Sequence, residues 1–315
     1  MKKILLSLLL AVSATGMVHA QSFPDKPVKI VLSVGVGSGP DVMARKVAEV
    51  LTEKWNQPVV VENKPGGAGV IGLNYINNEP ANGYTLGFLD GGTVVSYAVL
   101  YKNNEPIRQL EPIVPVLDAN MALFASSQFA SYADLKQQIS KNPSYSSWNI
   151  GSVAHVLGAE YLSTLDLKGT HIPYKDFGQW QADVASQQVP FAFGSTGTIK
   201  NLVQAGKNQI FAIAAAQRDP RYPSIPTVKE LTGRNITTLI AWCGFYVPVN
   251  APSHIKAKLE KDIRQAITDR RVQETMLRFD YISLHQQSLD DFKKKIKHDQ
   301  DLYTDMIAKY KIETQ

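Results

Sequence analysis

Short apolar segments alternate with segments of helical periodicity along most of the chain. In the first third, strands are predicted at 28–34, 59–62 and 84–89, with helices at 41–55 and 68–78 between them. This alternation is typical of a sheet flanked by helices. The sequence therefore predicts an α/β fold.

The same alternation returns in the middle of the chain. Ser131 and Asp134 form a capping-box-like start before a helical segment at 135–141. Further strands are predicted at 147–150, 170–173, 189–193 and 210–216, with helices at 153–165 and 199–205. Because each α/β half needs a sheet of its own, we predict two lobes.

The C-terminal part begins with a long apolar segment at 238–249. A helix at 253–268, a short helix and strand ending at Ser283, and a last helix from Ser288 follow it. Because a continuous strand precedes these elements instead of a flexible linker, we expect them to return to the first lobe.

The chain is therefore predicted to cross between the two lobes twice. We place the first lobe at 21–122 and 240–315 and the second at 123–239. The crossing segments between them are expected to act as a hinge.

The N-terminus has the pattern of a secretory signal. Lys2 and Lys3 precede an apolar run at 4–12, and small residues end at Ala20. The alternative is a membrane anchor, but the run is shorter than the roughly 20 residues that a span requires. We predict a signal peptide at 1–20, cleaved after Ala20, and a mature protein free in the periplasm.

Charge and cysteine content narrow the function classes. Without Lys2 and Lys3, 31 basic residues face 28 acidic ones, so nothing indicates a nucleic-acid partner, although a slight positive charge suits anionic solutes. Cys243 is the only cysteine and lies in an apolar segment. We interpret it as buried core filler and not as a nucleophile, because no His or polar turn is near it in sequence.

A glycine-rich loop between the first strand and the first helix is the main candidate binding element. Gly35, Gly37 and Gly39 let backbone amides approach a ligand closely, and the helix that follows presents unpaired N–H groups. Such a loop can hold a carboxylate without Lys or Arg. A tight turn without a ligand is the simpler alternative.

A dinucleotide-binding fold is a rival interpretation of this loop. Glu62 ends the next strand about where an acid that binds a ribose belongs. The pattern G-x-G-x-x-G is not met, however, because Pro40 stands at the position of the third glycine. A second glycine-rich segment at 63–69 is either another anion cradle or a structural turn.

Two turns of the second half also precede helices. Gly151, Ser152 and His155 surround one of them, and Ser195 and Thr196 stand at the other. Hydroxyl residues at such positions often only cap the helix. Both turns nevertheless lie at the sheet edge where α/β folds bind ligands, so their hydroxyls are candidate donors from the opposite lobe. His155 is a candidate contact or a structural histidine.

No motif for catalysis, metal binding or a cofactor is present. The sequence lacks G-x-S-x-G, H-E-x-x-H, a P-loop and paired cysteines. We expect neither a cofactor nor a metal, and no enzymatic activity.

In these residues the chain resembles the Bug family, the periplasmic substrate-binding subunits of tripartite tricarboxylate transporters. The similar segments run through nearly the whole mature chain. They are Phe23-Pro24, Pro27-Val28, Asp41 to Arg45, Val61 to Gly66, Gly83 to Leu86, His155, Ile172 to Lys175, Pro226 to Glu230 and Trp242 to Phe245.

The resemblance implies a two-lobed type II periplasmic binding protein, or Venus flytrap, fold. Family members hold carboxylates or related amides largely through backbone amides and ordered water. Departures from the family pattern occur at Leu32-Ser33, Gly37-Ser38, Asn82 and the shortened turn at 151–154. Asp176 follows Tyr174-Lys175 where the family has Gly, and an inward Asp176 would favour a ligand with an amine or amide.

The sequence thus predicts a solute-binding protein that captures a small carboxylate or related amide between its lobes, without a chemical reaction. Its expected partners are that ligand and the membrane permease subunits of a tripartite transporter. A ligand-binding sensor that feeds a membrane receptor and an exported enzyme are the alternatives. The predicted ligand-binding residues are Val34, Gly35, Gly37, Ser38, Gly39, Asp41, Gly151, Ser152, His155, Tyr174, Asp176, Ser195 and Thr196.

Overall fold

The computed structural model describes residues 23–101, 105–148, 150–174, 176–236 and 241–312. The predicted signal peptide and its cleavage site lie outside these residues. None of the helices in this part of the chain is both long and apolar enough to cross a membrane.

Strands and helices alternate through most of the described chain. The strands are β1 (Val28–Leu32), β2 (Val59–Asn63), β3 (Thr85–Asp90), β4 (Leu110–Asp118), β5 (Met121–Ser126), β6 (Ser144–Ser147), β7 (Thr170–Pro173), β8 (Ala192–Ser195), β9 (Asn208–Ile213), β10 (Cys243–Pro248) and β11 (Ile282–Ser283). The α-helices are α1 (Gly39–Trp55), α2 (Val70–Asn78), α3 (Tyr97–Leu100), α4 (Glu105–Arg108), α5 (Tyr132–Lys141), α6 (Val153–Thr164), α7 (Phe177–Ala185), α8 (Thr196–Gln204), α9 (Val228–Thr232), α10 (Ser253–Ile267), α11 (Arg270–Arg278) and α12 (Leu289–Tyr310). A 3₁₀ turn at Gly67–Gly69 and a π-helical turn at Gly92–Ser96 precede α2 and α3.

The strands form two mixed sheets, which confirms the predicted fold class. The first sheet has the order β11-β4-β10-β3-β1-β2, and the second has the order β7-β6-β8-β5-β9. In the first, β1 is parallel to β2 and β3, so Ile30 stands opposite Val61 and Leu86. The return strand β10 is antiparallel to β3 and β4.

Several predicted elements are shifted in the structure. The strand predicted at 147–150 is β6, which ends at Ser147, and its serine-rich composition concealed a fully buried strand. The strand predicted at 189–193 is β8, which begins after Pro190, because proline has no N–H for the ladder. The sequence analysis left β4, β5 and α7 unassigned.

Strand alternation divides the apolar residues into three clusters. Ile30 and Leu32 face the cluster formed with α1, α10 and α11, whereas Val31 faces the opposite side of the first sheet. In the second sheet, Leu123 belongs to the same cluster as Val31, and Phe124 belongs to the third cluster. The cluster that contains Val31 and Leu123 therefore includes side chains from both sheets, together with side chains of α6 and α12.

Two chain segments that lie side by side connect the sheets. The first passes from β4 to β5 through Ala119 and Asn120, and the second returns through Ala241 and Trp242 into β10. The N–H of Ala241 donates to the carbonyl oxygen of Ala119 at 3.2 Å. The lobe boundaries at 122/123 and 239/240 stay a prediction.

Candidate ligand-binding cleft

The loop of residues 33–38 leads from β1 into α1 at the carboxyl end of the first sheet. Ser38 is the N-cap of α1, and its hydroxyl accepts a hydrogen bond from the N–H of Asp41 at 3.4 Å. Gly37 has φ of +80°, a conformation in which a β-branched side chain is strained. Val36 at the tip is 76% exposed. The local sequence thus determines a short, exposed loop ahead of a capped helix.

Asp41 holds this loop in shape from below. Its carboxylate accepts hydrogen bonds from the N–H of Gly37 and from Asn63 Nδ2, both at 2.9 Å, and pairs with Arg45 Nη2 at 2.9 Å. Burial of Asp41 opposes its ionisation, but the donors on Arg45, Gly37 and Asn63 outweigh burial and lower its pKa. The carboxylate of Asp41, 2% exposed, is therefore engaged with protein groups.

The remaining amides of the loop define a small donor cluster. The N–H of Ser38 donates to the carbonyl oxygen of Gly35 at 3.4 Å. No described residue supplies an acceptor for the N–H groups of Gly35, Val36 and Gly39. These groups lie at the N-terminal end of α1, where the helix dipole is positive.

The start of the loop is braced by a residue that the sequence analysis missed. The hydroxyls of Ser33 and Thr93 lie 2.7 Å apart, and Thr93 donates from both its N–H and its hydroxyl to Asp90 at 2.9 and 3.0 Å. Because the Asp90 carboxylate only accepts, the Thr93 hydroxyl donates to it and accepts from Ser33. The signal for this contact was an acid and Gly-Gly-Thr directly after a buried strand.

In the second lobe, the turn at Gly151 is packed against the first lobe. The N–H of Gly151 donates to His155 Nδ1 at 2.8 Å, and the carbonyl oxygen of Gly151 accepts from the Tyr303 hydroxyl of α12. Gly151 has φ of +69°, and a Cβ there would lie 2.0 Å from a methyl group of Leu100, so a larger residue would be strained and would displace Leu100. Ser152 caps α6 by accepting from the N–H of His155.

His155 is stacked on His171, with ring centroids 3.6 Å apart. Burial lowers the pKa of His155 to about 4, and burial with repulsion from His155 lowers that of His171 to about 3. Both rings are neutral near neutral pH. Since Nδ1 of His155 accepts from Gly151, its proton is on Nε2.

The second turn of this lobe carries an unpaired buried hydroxyl. Ser195 caps α8, and its hydroxyl lies 2.6 Å from that of Thr198. Thr196 is fully buried, and Thr196 Oγ1 has no hydrogen-bond partner among the described residues. Ser195 therefore caps the helix, whereas the buried hydroxyl of Thr196 is left without a partner among the described residues.

The N-terminal ends of α1 and α8 meet at one turn of the first lobe. A Cβ at Gly39 would lie 1.9 Å from the Tyr281 hydroxyl and 3.5 Å from the ring of Phe279. A Cβ at Gly197 would lie 1.8 Å from the carbonyl oxygen of Phe279. The first-lobe loop and the Ser195–Thr196 turn thus border the same turn, although they belong to different sheets.

The family model of the tripartite tricarboxylate transporter family receptor matches residues 43–311 of the chain. The chain belongs to this receptor family. The predicted family relationship is confirmed, and the family's members and structural neighbours are solute-binding proteins of the periplasm.

Individual relatives of this receptor agree. A UPF0065 protein of Bordetella pertussis is 32% identical over 273 residues, which cover 84% of this chain and 82% of that protein. The structure of the periplasmic binding protein BugD is 26% identical, with a TM-score of 0.83 over 93% of this chain and 100% of BugD. A structure of R. palustris Rpa4515 with adipate has a TM-score of 0.83 at 21% identity, over 92% of this chain and 99% of that one, and supports the fold.

Tyr174 and Asp176 of the receptor make their visible contacts within the second lobe. The Tyr174 hydroxyl donates to Asp183 Oδ2 at 2.7 Å, and burial with this hydrogen bond raises the pKa of Tyr174 to about 12. Asp176 is exposed and caps α7 by accepting from the N–H of Gln179 at 2.7 Å. Within the described residues, no His, Cys, Asp and Glu side chains are grouped closely enough to hold a metal ion.

Proposed function

We propose that this receptor binds a small carboxylate between its two lobes and performs no reaction on it. The observation that carries the proposal is the meeting of α1 and α8 at the turn of Phe279 and Tyr281. Unpaired donors border this turn from both lobes, as a ligand that bridges the lobes requires.

One carboxylate would be held by the loop before α1. The N–H groups of Gly35, Val36 and Gly39 supply hydrogen bonds, and the end of α1 supplies positive partial charge. The segment from Val34 to Asp41 contains no Lys or Arg, so main-chain groups carry this recognition. Micromolar affinity corresponds to about 8 kcal/mol, which several such hydrogen bonds provide in a desolvated cleft.

The other end of the ligand would meet the second lobe. Thr196 Oγ1 is the buried donor there, and the hydroxyls of Ser152 and Ser195 can still donate while they cap their helices. An aliphatic dicarboxylate such as adipate, with a carboxylate at each end, suits donors on both sides. We propose that Asp41 and Gly37 position the loop, and that Gly151 and His155 shape the opposite turn.

Two second-lobe residues stay predictions as ligand contacts. Asp176 and Tyr174 would have to exchange their contacts with α7 for contacts with the ligand. An amide or amine ligand could donate a hydrogen bond to Asp176, whereas a carboxylate would be repelled by it. Comparison of adipate with its monoamide therefore tests whether Asp176 faces the cleft.

The family relationship supports a proposal about the cellular setting. We propose export by the signal peptide at 1–20, with cleavage after Ala20, and transfer of the ligand to membrane permease subunits of a tripartite transporter. Cross-linking of the mature protein to its co-expressed permease, with and without adipate, tests this transfer.

The binding proposal is tested with Gly37→Val. Valine at φ of +80° is strained, while nothing lies within 4 Å of the added Cβ, so the loop changes without a clash elsewhere. We expect adipate affinity, measured by titration calorimetry, to fall by at least about tenfold.

Gly233→Val is the matched control. Gly233 has φ of +74° and also has nothing within 4 Å of its Cβ position, but it ends α9. It should lose stability as Gly37→Val does and keep adipate affinity. Equal affinity in both variants would remove the first-lobe loop from the site, and turnover of adipate would make the receptor an enzyme.

A further inference from the structure

Asp280 of the first lobe receives hydrogen bonds from three side chains of the second lobe. Lys200 Nζ lies 2.9 Å from Asp280 Oδ1, and the Tyr222 hydroxyl donates to Oδ2. Arg221 donates from its guanidinium to the carbonyl oxygen of Asp280. We call Asp280, Lys200, Arg221 and Tyr222 the interlobe clamp.

The second-lobe half of the clamp is held rigidly. Asp219 pairs with Arg221 through Nε at 2.9 Å and Nη2 at 2.5 Å. Asp219 also accepts from Asn120 Nδ2 at 2.8 Å, and Asn120 lies in the first crossing segment. These contacts hold the guanidinium of Arg221 oriented toward Asp280.

The clamp is shielded from water on the first-lobe side. The Asp280 side chain is 11% exposed and that of Lys200 is 29% exposed. Ion pairs with reduced solvent contact are stronger than surface pairs, and a carboxylate that loses its donors in such a place is destabilised. If the two halves of the clamp separate before water reaches the Asp280 carboxylate, that carboxylate loses its donors, which is unfavourable.

The clamp joins segments that must separate when the lobes move. Lys200 lies in α8, and residues 221–222 lie between β9 and α9, so both belong to the second sheet's layer. Asp280 lies between α11 and β11, which pairs with β4 of the first sheet. Rotation about the crossing segments therefore changes the distances within the clamp.

We propose that the interlobe clamp stabilises the closed arrangement of the lobes, so that Asp280 is a positioning residue for a ligand that it does not contact. This inference rests on the proposed function, because closure matters for affinity only if the ligand lies between the lobes. Apparent affinity is reduced in proportion to the fraction of molecules in the binding-competent arrangement.

Asp280→Asn tests the clamp, and Asp166→Asn is its matched control. Asp280 has φ of 52° and Asp166 has φ of 56°, and asparagine tolerates this conformation as aspartate does. Asp166 also pairs with a cation, Arg234, at 2.8 Å. That pair lies within the second lobe, so its loss leaves the lobes' separation unchanged.

Lobe separation is measured between spin labels without ligand. Cysteines introduced at Asn74 of α2 and Gln137 of α5, both exposed, carry the labels, while Cys243 is buried. We expect Asp280→Asn to shift the distances to larger values and to weaken adipate binding by about tenfold. Asp166→Asn should match the wild type in both measurements.

A double-mutant cycle provides a second readout. Lys200→Met with Tyr222→Phe removes both donors to the Asp280 carboxylate, and adding Asp280→Asn to this pair should cost no further affinity, because both changes break the same contacts. Label distances in Asp280→Asn equal to those in Asp166→Asn would overturn the clamp, as would fully additive losses. If adipate fails to bind the wild type, the proposed function fails, and the label distances still decide the clamp.

Discussion

At the scale of single residues, Asp41 has a role in the structure of the loop that the sequence analysis did not predict. The sequence analysis placed it beside the glycine-rich loop, and the structure engages its carboxylate with Gly37, Asn63 and Arg45. Asn63 lies at the end of β2 and was not predicted to take part. The close spacing of its glycines identified the loop, whereas its contact with Asn63 joins residues too far apart in sequence for a local pattern to predict.

Asp41→Asn should lower both stability and adipate affinity. The amide removes the charge that Arg45 compensates, at a cost of about 1–3 kcal/mol in unfolding free energy. The pKa of Asp41 is lowered from its usual 3.8, so the charged form's stabilisation is present above that pH and is lost as the pH falls through the folded-state pKa. The deficit of the variant, measured by urea unfolding, should therefore be full near pH 7 and shrink below about pH 4.

Asp305→Asn is a suitable control for this comparison, because Asp305 is exposed on α12. It should change stability little at any pH. A deficit in Asp41→Asn that stays constant down to about pH 3 would contradict the assigned role of the ionised carboxylate.

At the scale of elements, strand β4, which leads into the first crossing segment, ends in a buried acid. Asp118 ends β4, is 6% exposed, and accepts from the N–H of Ala119 at 2.8 Å. Burial raises its pKa to about 7, although the charge of Lys295 and the Ala119 hydrogen bond act in the opposite direction. This strand was not predicted, and the sequence analysis assigned no element between residues 90 and 130.

Asp118→Asn should stabilise the protein at alkaline pH. The folded-state pKa lies above the usual 3.8, so the stability that the neutral acid provides is lost as the pH rises through about 7. Asparagine stays neutral and still accepts from Ala119. Urea unfolding should show a gain on the order of 1–3 kcal/mol near pH 8 that shrinks as the pH falls and becomes small near pH 4. A gain of the same size at both pH values would show that titration of Asp118 is not its cause.

At the scale of the whole molecule, the lobes share an apolar cluster and meet in close backbone contact. Side chains of α6 and α12 lie in the cluster between the two sheets. At the other contact, Gly197 of α8 approaches the main chain of Phe279, and no side chain fits between them. The two sheets were predicted from the repeated alternation of elements, but these contacts join residues far apart in sequence.

Gly197→Ala should wedge the lobes apart. Its Cβ would lie 1.8 Å from a main-chain oxygen, and a backbone group cannot rotate away as a side chain can. We expect larger distances between labels at positions 74 and 137 and at least about tenfold weaker adipate binding.

Gly178→Ala in α7 is the control for the wedge. The nearest atom to its added Cβ is a carboxylate oxygen of Asp176 at 3.3 Å, which is on an exposed side chain. This variant should keep the wild-type distances and affinity. If Gly197→Ala did the same, the contact with Phe279 would not restrict the lobes.

The sequence alone determined the α/β class and the capped helix starts, because these depend on periodicity and on residues a few positions apart, and its resemblance to known proteins indicated the receptor family. Ser131 and Ser288 cap their helices as such spacing indicates. Only the tertiary structure decided which ends meet: Gly39 and Gly197 at one turn, Thr93 on Ser33, and Asp280 under three second-lobe donors. These contacts arise from packing of distant segments, and their energies depend on burial that no local pattern encodes.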